Sequence, residues 1–541
     1  MSAFRTAFLV VLAGAACAPP RTQSPPPVAA LAAAESTYAA ARDARDHYDV
    51  ALALGLPGDA AGVNRLRGHL VAALGAVDAA ALASTEARAF GAMQRGLREA
   101  LDSVVPPSPR ADASAPPTCP PGSDGGLDSL KARLYRCYGW AQSHLPVGAD
   151  TLDRLTILAE IGRAADPARR RALFYALGPV WRSVDGGDSL YRRLVTLEAA
   201  ARSGAATRLA TRPDQVLAAG LPMDSIEPWL VAVLEAWRAA SPSTVLEPWD
   251  WLYRNGQASR VLSPRIPRSR LLPLDLAVFR ALGADAAALG VRFDLAPRDG
   301  KDPVASTSFG ARSPLIEPWV FATYRDGGLD NLNELLHETG HAIHLAAIRT
   351  RPAFRDWPDS DPFTEAVADV VALDVYEPVW QQRWLGDSVP LAEGLRGRYG
   401  GIVLDVAWAL FERRMLREPT ADPNRVWTDL TWRYLRIRPH PELSWWAMRG
   451  QLIDAPGYMM NYAAGAILIA AIRDRIRRLH GSFVTGDRTW YDWVAPRLYR
   501  FGLERPTREV VEEFLGGPVT PAALLEDLGR MRAAVPRGTG R

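Results

Sequence analysis

The stretch NELLHETGHAIHLAA, residues 333–347, ties this chain to one local geometry. His337 and His341 are four residues apart, so on a helix their rings stack on one face. Glu338 lies about 100° around the same helix from His337. Only eight histidines occur in 541 residues, and three of them (His337, His341 and His344) fall in this one apolar segment. Two imidazoles at that spacing can hold one metal ion, and a carboxylate beside them can take a proton from water. Chance would give such a His-Glu-x-x-His match about 0.01 times in a chain of this composition. The plain alternative is a pair of histidines satisfied inside a helical core. Asp330 is placed to cap the helix, which should run to about Arg349, before Pro352. Gly340 in its middle costs about 1 kcal/mol relative to alanine, so something must approach that backbone closely.

A zinc ion needs a third protein ligand and an open position. The position six residues beyond His341, where one class of zinc peptidases carries a third histidine, is Ala347. His344 is only three past His341 and reads as a packed or hydrogen-bonded neighbour. The better source is SDPFTEAVADVVALDVYEP, a helix with Ser360 or Asp361 as cap and Pro362 in its first turn, ending before Pro378. Glu365 and Asp369 are four apart on it, and such a pair is costly to bury without a cation. Glu365 is then the third ligand, and Asp369 can hydrogen-bond a ligand histidine and hold its tautomer. A solvated face is the bland alternative.

The opening MSAFRTAFLVVLAGAAC has the shape of a secretory signal, residues 1–17, too short to remain as a membrane span. Cys17 after two alanines resembles a lipoprotein cleavage site, which would give a lipid anchor; ordinary cleavage in the same region is the alternative. Residues 18–27 read as a proline-rich tether. With Cys17 removed or lipidated, Cys119 and Cys137 remain, and export makes a disulfide between them the expectation. Residues 28–105 show helical periodicity, 106–126 form a Pro/Ser/Gly-rich loop, and 127–535 form the main domain. Strand candidates are few: GVRFDLAP (290–297) and VASTSFGA (304–311). The class is mainly α, with a small β-sheet next to the histidine helix. Net charge is only +3, from 63 basic and 60 acidic residues, which argues against a nucleic-acid partner. Lys131 and Lys301 are the only lysines. No stretch of the mature chain is long and apolar enough for a transmembrane helix.

HETGHAIH followed by FTEAVADVVALDVYEP, with 23 residues between His341 and Glu365, resembles the gluzincin metallopeptidases. The Glu-Ala-x-x-Asp text is similar to angiotensin-converting enzyme and its bacterial relatives. APRDGKDPVASTSFGARSPLIEPWVFATY, DPNRVWTDLTWRYL and PGYMMNYAAG resemble parts of the thimet oligopeptidase and oligoendopeptidase F family. The resemblance spans roughly residues 150–475 and is most specific around 300–380. It implies one zinc per chain on His337, His341 and Glu365, Glu338 as general base and Asp369 behind a ligand histidine. It also implies Tyr462 as donor to the oxyanion, Tyr458 as a substrate contact, and a strand around Ser306, Ser308 and Gly310 that binds peptide. The implied fold has two helical lobes around a deep central channel. The implied function is a peptidase for short unfolded peptides, and the signal-like opening adds that it is exported, periplasmic or envelope-anchored. Two departures matter. Both relatives carry a histidine ten to twelve residues before the tyrosine. Here that window has none; Gln451 and Asp454 are the nearby polar side chains, and His440 could reach only in space. Met459 replaces a carboxylate-anchoring tyrosine. A dipeptidyl carboxypeptidase and a non-catalytic zinc-binding lipoprotein remain as alternatives.

Overall fold

The computed structural model describes residues 27–101, 126–185, 190–203, 213–298, 301 and 304–534. The leader, Cys17, the tether up to residue 26 and Cys119 lie outside them. Cys137 is disulfide-bonded, inside the helix Leu127–Ser143.

Helices dominate, as the periodicity predicts. The first short strand pair is a hairpin, β1 (Leu145–Val147) with β2 (Asp150–Leu152), which the sequence reading missed. A three-stranded sheet follows: β3 (Arg292–Asp294), β4 (Ser306–Phe309) and β5 (Pro318–Phe321). Its order is β3-β5-β4, with β5 parallel to β3 and antiparallel to β4. The two expected strands are therefore present but short, and the central one was not expected. β5 is a continuous apolar run, PWVF, with no alternation to betray a strand. β4 is an edge of this sheet.

The histidine helix spans Leu329–Ala347. Its cap is Gly328, not Asp330: the backbone enters at φ 110°, a conformation suited to glycine. Asp330 sits in the first turn, where its carboxylate accepts from Ser259 Oγ at 2.7 Å. At the other end the chain turns extended at Ile348, one residue before the expected limit. The glutamate helix, Asp361–Ala372, begins after Ser360 with Pro362 in its first turn. It packs across the histidine helix at Gly340. A Cβ placed there would stand 2.3 Å from the Ala368 carbonyl oxygen and 2.9 Å from its Cα. That close approach explains the mid-helix glycine. Gly340→Ala should lower stability by ~1–3 kcal/mol, because the obstacle is backbone and the helices must separate. A thermal melt checks this, and an unchanged melting temperature would refute it.

The tyrosine helix, Met459–Leu479, packs on the glutamate helix. Buried Arg473 ties the two together, donating to the Val370 carbonyl and pairing with Asp374. The main core runs from Leu130 to Met531 and is rich in tryptophan; Trp408 and Trp427 stack at 4.9 Å. The first helices, Pro27–Ala53, Ala60–Gly75 and Ser84–Glu99, form a satellite core that also takes in Ala353 and Phe354. These two residues lie between the histidine and glutamate helices. Arg312, just past β4, joins the same junction: it pairs with Asp46 of the first helix at 2.5 Å and with Asp356 at 3.1 Å. Among the described residues no helix is long and apolar enough to cross a membrane.

Candidate metal centre

Packing of the histidine and glutamate helices brings His337, His341 and Glu365 to one point. Their ligand atoms all lie within 4.8 Å of one another. His337 Nε2 is 3.5 Å from Glu365 Oε2, and His341 Nε2 is 3.8 Å from Oε1. The two rings stand 4.7 Å apart at 89°. Asp369 is one turn beyond Glu365, and its carboxylate accepts a hydrogen bond from His337 Nδ1 at 2.8 Å. That leaves Nε2 as the free donor toward Glu365. His341 Nδ1 is buried with no hydrogen-bond partner.

The electrostatics show which charge the site favours. Burial opposes charge on His337, yet Asp369 and Glu365 outweigh it and hold its pKa well above the usual value. Burial and the neighbouring His337 push His341 down to about 3. Burial would raise Glu365, but His337 overcomes it and lowers its pKa. Two carboxylates, Glu365 and Asp369, lie against the two imidazoles, so the pocket favours positive charge. A divalent cation on two nitrogens and one carboxylate oxygen satisfies this charge and donor set.

Glu338, the residue after His337, feels the charges of His337 and Glu365 and meets β4. Thr307 Oγ1 lies 2.7 Å from Glu338 Oε2 and 2.8 Å from the Glu338 carbonyl oxygen. Burial raises the Glu338 pKa. The next residue, Thr339, donates to the buried Asp275 at 2.9 Å, which fixes the helix from another face. His344 is no ligand. It is buried among Trp357, Phe363 and Tyr499, with neither ring nitrogen hydrogen-bonded. It is packed, and burial lowers its pKa to about 3.

Tyr458 and Tyr462 open the tyrosine helix with rings 5.4 Å apart. Gln451 Nε2 donates to the Tyr462 phenol oxygen at 3.2 Å. The Arg449 guanidinium, paired with Asp405, lies 5.9 Å from the Tyr462 ring. Of the side chains weighed for the missing histidine, Gln451 touches the phenol and Asp454 faces solvent. His440 is taken elsewhere: its Nε2 meets Glu247 at 2.8 Å and its Nδ1 meets Glu442 at 2.7 Å. That corrects the idea that it reaches the site. Met459 is fully buried, its amide held by Glu412. Ser306 is exposed and Ser308 half-buried on the edge strand. Gly310 departs from its expected role, since it is buried and its amide is spent on the Glu317 carbonyl at 2.8 Å.

A cavity of about 1280 Å³ adjoins the centre. The ligands themselves do not line it. It reaches their side through Glu334, one turn before His337, and through Arg449 beside Tyr462, over walls that include Tyr376 and Trp408. Sequence reasoning missed Thr307 and Asp275. The alternation of VASTSFGA places Thr307 on the face opposite Ser306 and Ser308, which was the available signal for the first. Nothing local marks Asp275.

No protein-family model matches the chain, and no curated protein does. Solved structures do match in fold. One is a putative oligoendopeptidase F, at 15% identity and TM-score 0.51, covering 83% of this chain and 77% of the other. A second is PZ peptidase A with an inhibitor, at 13% identity and TM-score 0.52, covering 90% and 86%. A third is the M32 carboxypeptidase of Deinococcus radiodurans R1, at 15% identity and TM-score 0.55, covering 93% and 100%. The chain thus shares a mainly α fold with these three structures.

Proposed function

We propose that the protein is a zinc-dependent peptidase that hydrolyses short unfolded peptides. The observation that carries this reading is the meeting of His337, His341 and Glu365 with an ionisable, hydrogen-bonded Glu338 beside them. A site that only stored metal would have no need of that fourth side chain, a buried carboxylate. The fold shared with an oligoendopeptidase and a carboxypeptidase supports the same reading. Zinc, held by those three side chains, would polarise the scissile carbonyl and lower the pKa of water toward ~7.

The chain's own residues supply the rest. Glu338 accepts a proton from the attacking water on the carboxylate oxygen that Thr307 does not engage, then returns it to the leaving amine. Tyr462 donates its phenol proton to the oxyanion. Burial raises the Tyr462 pKa against the opposing charge of Arg449, so the phenol remains a donor at neutral pH. Because the Gln451 amide donates to the phenol oxygen, the phenol's own proton stays free. The edge of β4 offers backbone to an extended peptide as an added strand, with Ser306 and Ser308 beside it. The adjoining cavity accommodates peptide side chains rather than a folded domain.

Export to the periplasm or envelope is part of the proposal, with Cys17 as the lipid attachment point. The signal-like opening supports it, and so does the disulfide at Cys137, a bond that persists in oxidising compartments.

The test is cleavage of a mixed peptide library by the full mature chain, with and without a chelator. Products should appear only without chelator, and their lengths separate internal cleavage from removal of carboxy-terminal dipeptides. A fully zinc-loaded protein that cleaves nothing would leave the binding-protein reading in its place. Tyr462→Phe should lower kcat by about 10²-fold with little change in KM, since its bond matures in the transition state. If the variant keeps full turnover, the oxyanion donor lies elsewhere.

A further inference from the structure

We infer that Thr307 is a positioning residue: it fixes the Glu338 carboxylate and couples that placement to the strand on which a peptide would dock. The inference rests on the reading of Glu338 as general base. Thr307 is the second residue of β4, opposite Val320 of the buried central strand, so its backbone is anchored from one side. Its hydroxyl meets two acceptors of one residue, the Glu338 carboxylate at 2.7 Å and the Glu338 carbonyl at 2.8 Å. A hydroxyl has a single proton to share between them. The pair of contacts therefore ties both the helix backbone and the end of the side chain to the strand. No other side chain among the described residues makes a hydrogen bond to this carboxylate that the structure records.

Ser306 and Ser308 face away from the helix, while Thr307 faces it, by the alternation of a strand. A peptide added along β4 contacts the strand carrying Thr307, and Thr307 holds the base. Occupancy of the edge and alignment of Glu338 become one event. Binding far from the scissile bond would then act on turnover rather than on affinity.

The experiment uses zinc-loaded full chain carrying Thr307→Val or Thr307→Ser, each alone and combined with Glu338→Gln. kcat and KM are measured on one long peptide and on a version shortened at the end that lies on β4. Crystals of metal-free wild type and Thr307→Val report the Glu338 side chain independently of activity. Thr307→Val should lower kcat about tenfold on the long peptide with KM within about twofold, the loss of one charge-assisted bond. Thr307→Ser should stay within about threefold of wild type, since it keeps the hydroxyl. Combined with Glu338→Gln, valine should add no further loss. Wild type should turn over the long peptide faster than the short one, and valine should erase that difference. In the metal-free valine variant the Glu338 carboxylate should leave its place while the helix does not. Full kcat in the valine variant overturns the inference. So does an equal loss with serine, which would mean packing of the methyl group, and so does a valine loss that persists on top of Glu338→Gln. If the valine variant does not fold, Thr307→Ala is read by the same criteria. Wild type that binds zinc but cleaves nothing defeats the base reading instead. The crystals then still decide whether Thr307 holds the side chain.

Discussion

Glu338→Gln should keep about one zinc per chain and lose 10²-fold or more in turnover, up to ~10⁴-fold. The substitution removes the base and almost nothing else. Glutamine has the same shape, and its amide oxygen can still accept from Thr307, which lies 2.7 Å from the native Oε2. Glu338 is not among the three converging metal-binding side chains, so metal content should be unchanged. Substrate affinity should move little, because proton transfer belongs to the transition state. Metal analysis with steady-state kinetics on one peptide checks the result. A variant with normal zinc and more than about a third of wild-type kcat would show that another group takes the proton.

Glu365→Ala should weaken zinc binding by more than ~10²-fold, beyond the loss typical of residues that merely support a ligand. It removes one of three protein donors, and it also removes one of the two carboxylates that set the charge of the pocket. Two imidazoles on one helix remain, a pair that holds zinc weakly without a third anchor. Activity should fall with metal content and return in part at high zinc. Competition against a chromophoric chelator gives the affinity. Unchanged affinity would mean that the ion sits elsewhere.

The histidine helix was legible because its information is local. A spacing of four on a helix fixes two rings on one face whatever the rest of the chain does. The start of the glutamate helix was legible for a similar reason, being written in Ser360 and Pro362, but its end was not: the α-helix stops at Ala372 and passes into a 3₁₀ turn, Leu373–Tyr376, before Pro378. Gly340 foretold a close contact but not its partner, since Ala368 lies on another element. What failed was non-local or masked by composition. β5 hid in an apolar run. Asp330 looked like a cap because caps are read from side chains, whereas Gly328 acts through backbone angle. The roles of Gln451 and Thr307 depend on which helix faces which strand, and a single sequence does not state that.

The junction at Arg312 has a consequence for how the molecule is made. Asp46 is separated from Arg312 by 266 positions, and Glu35 from its partner Arg351 by 316. During synthesis the first helix therefore emerges long before the residues that neutralise its buried carboxylates exist. Contacts of such sequence separation close late and slowly. Until Arg312 and Arg351 arrive, the satellite core lacks Ala353 and Phe354 as well, so these helices, made well before the histidine helix, are among the last elements to find their place.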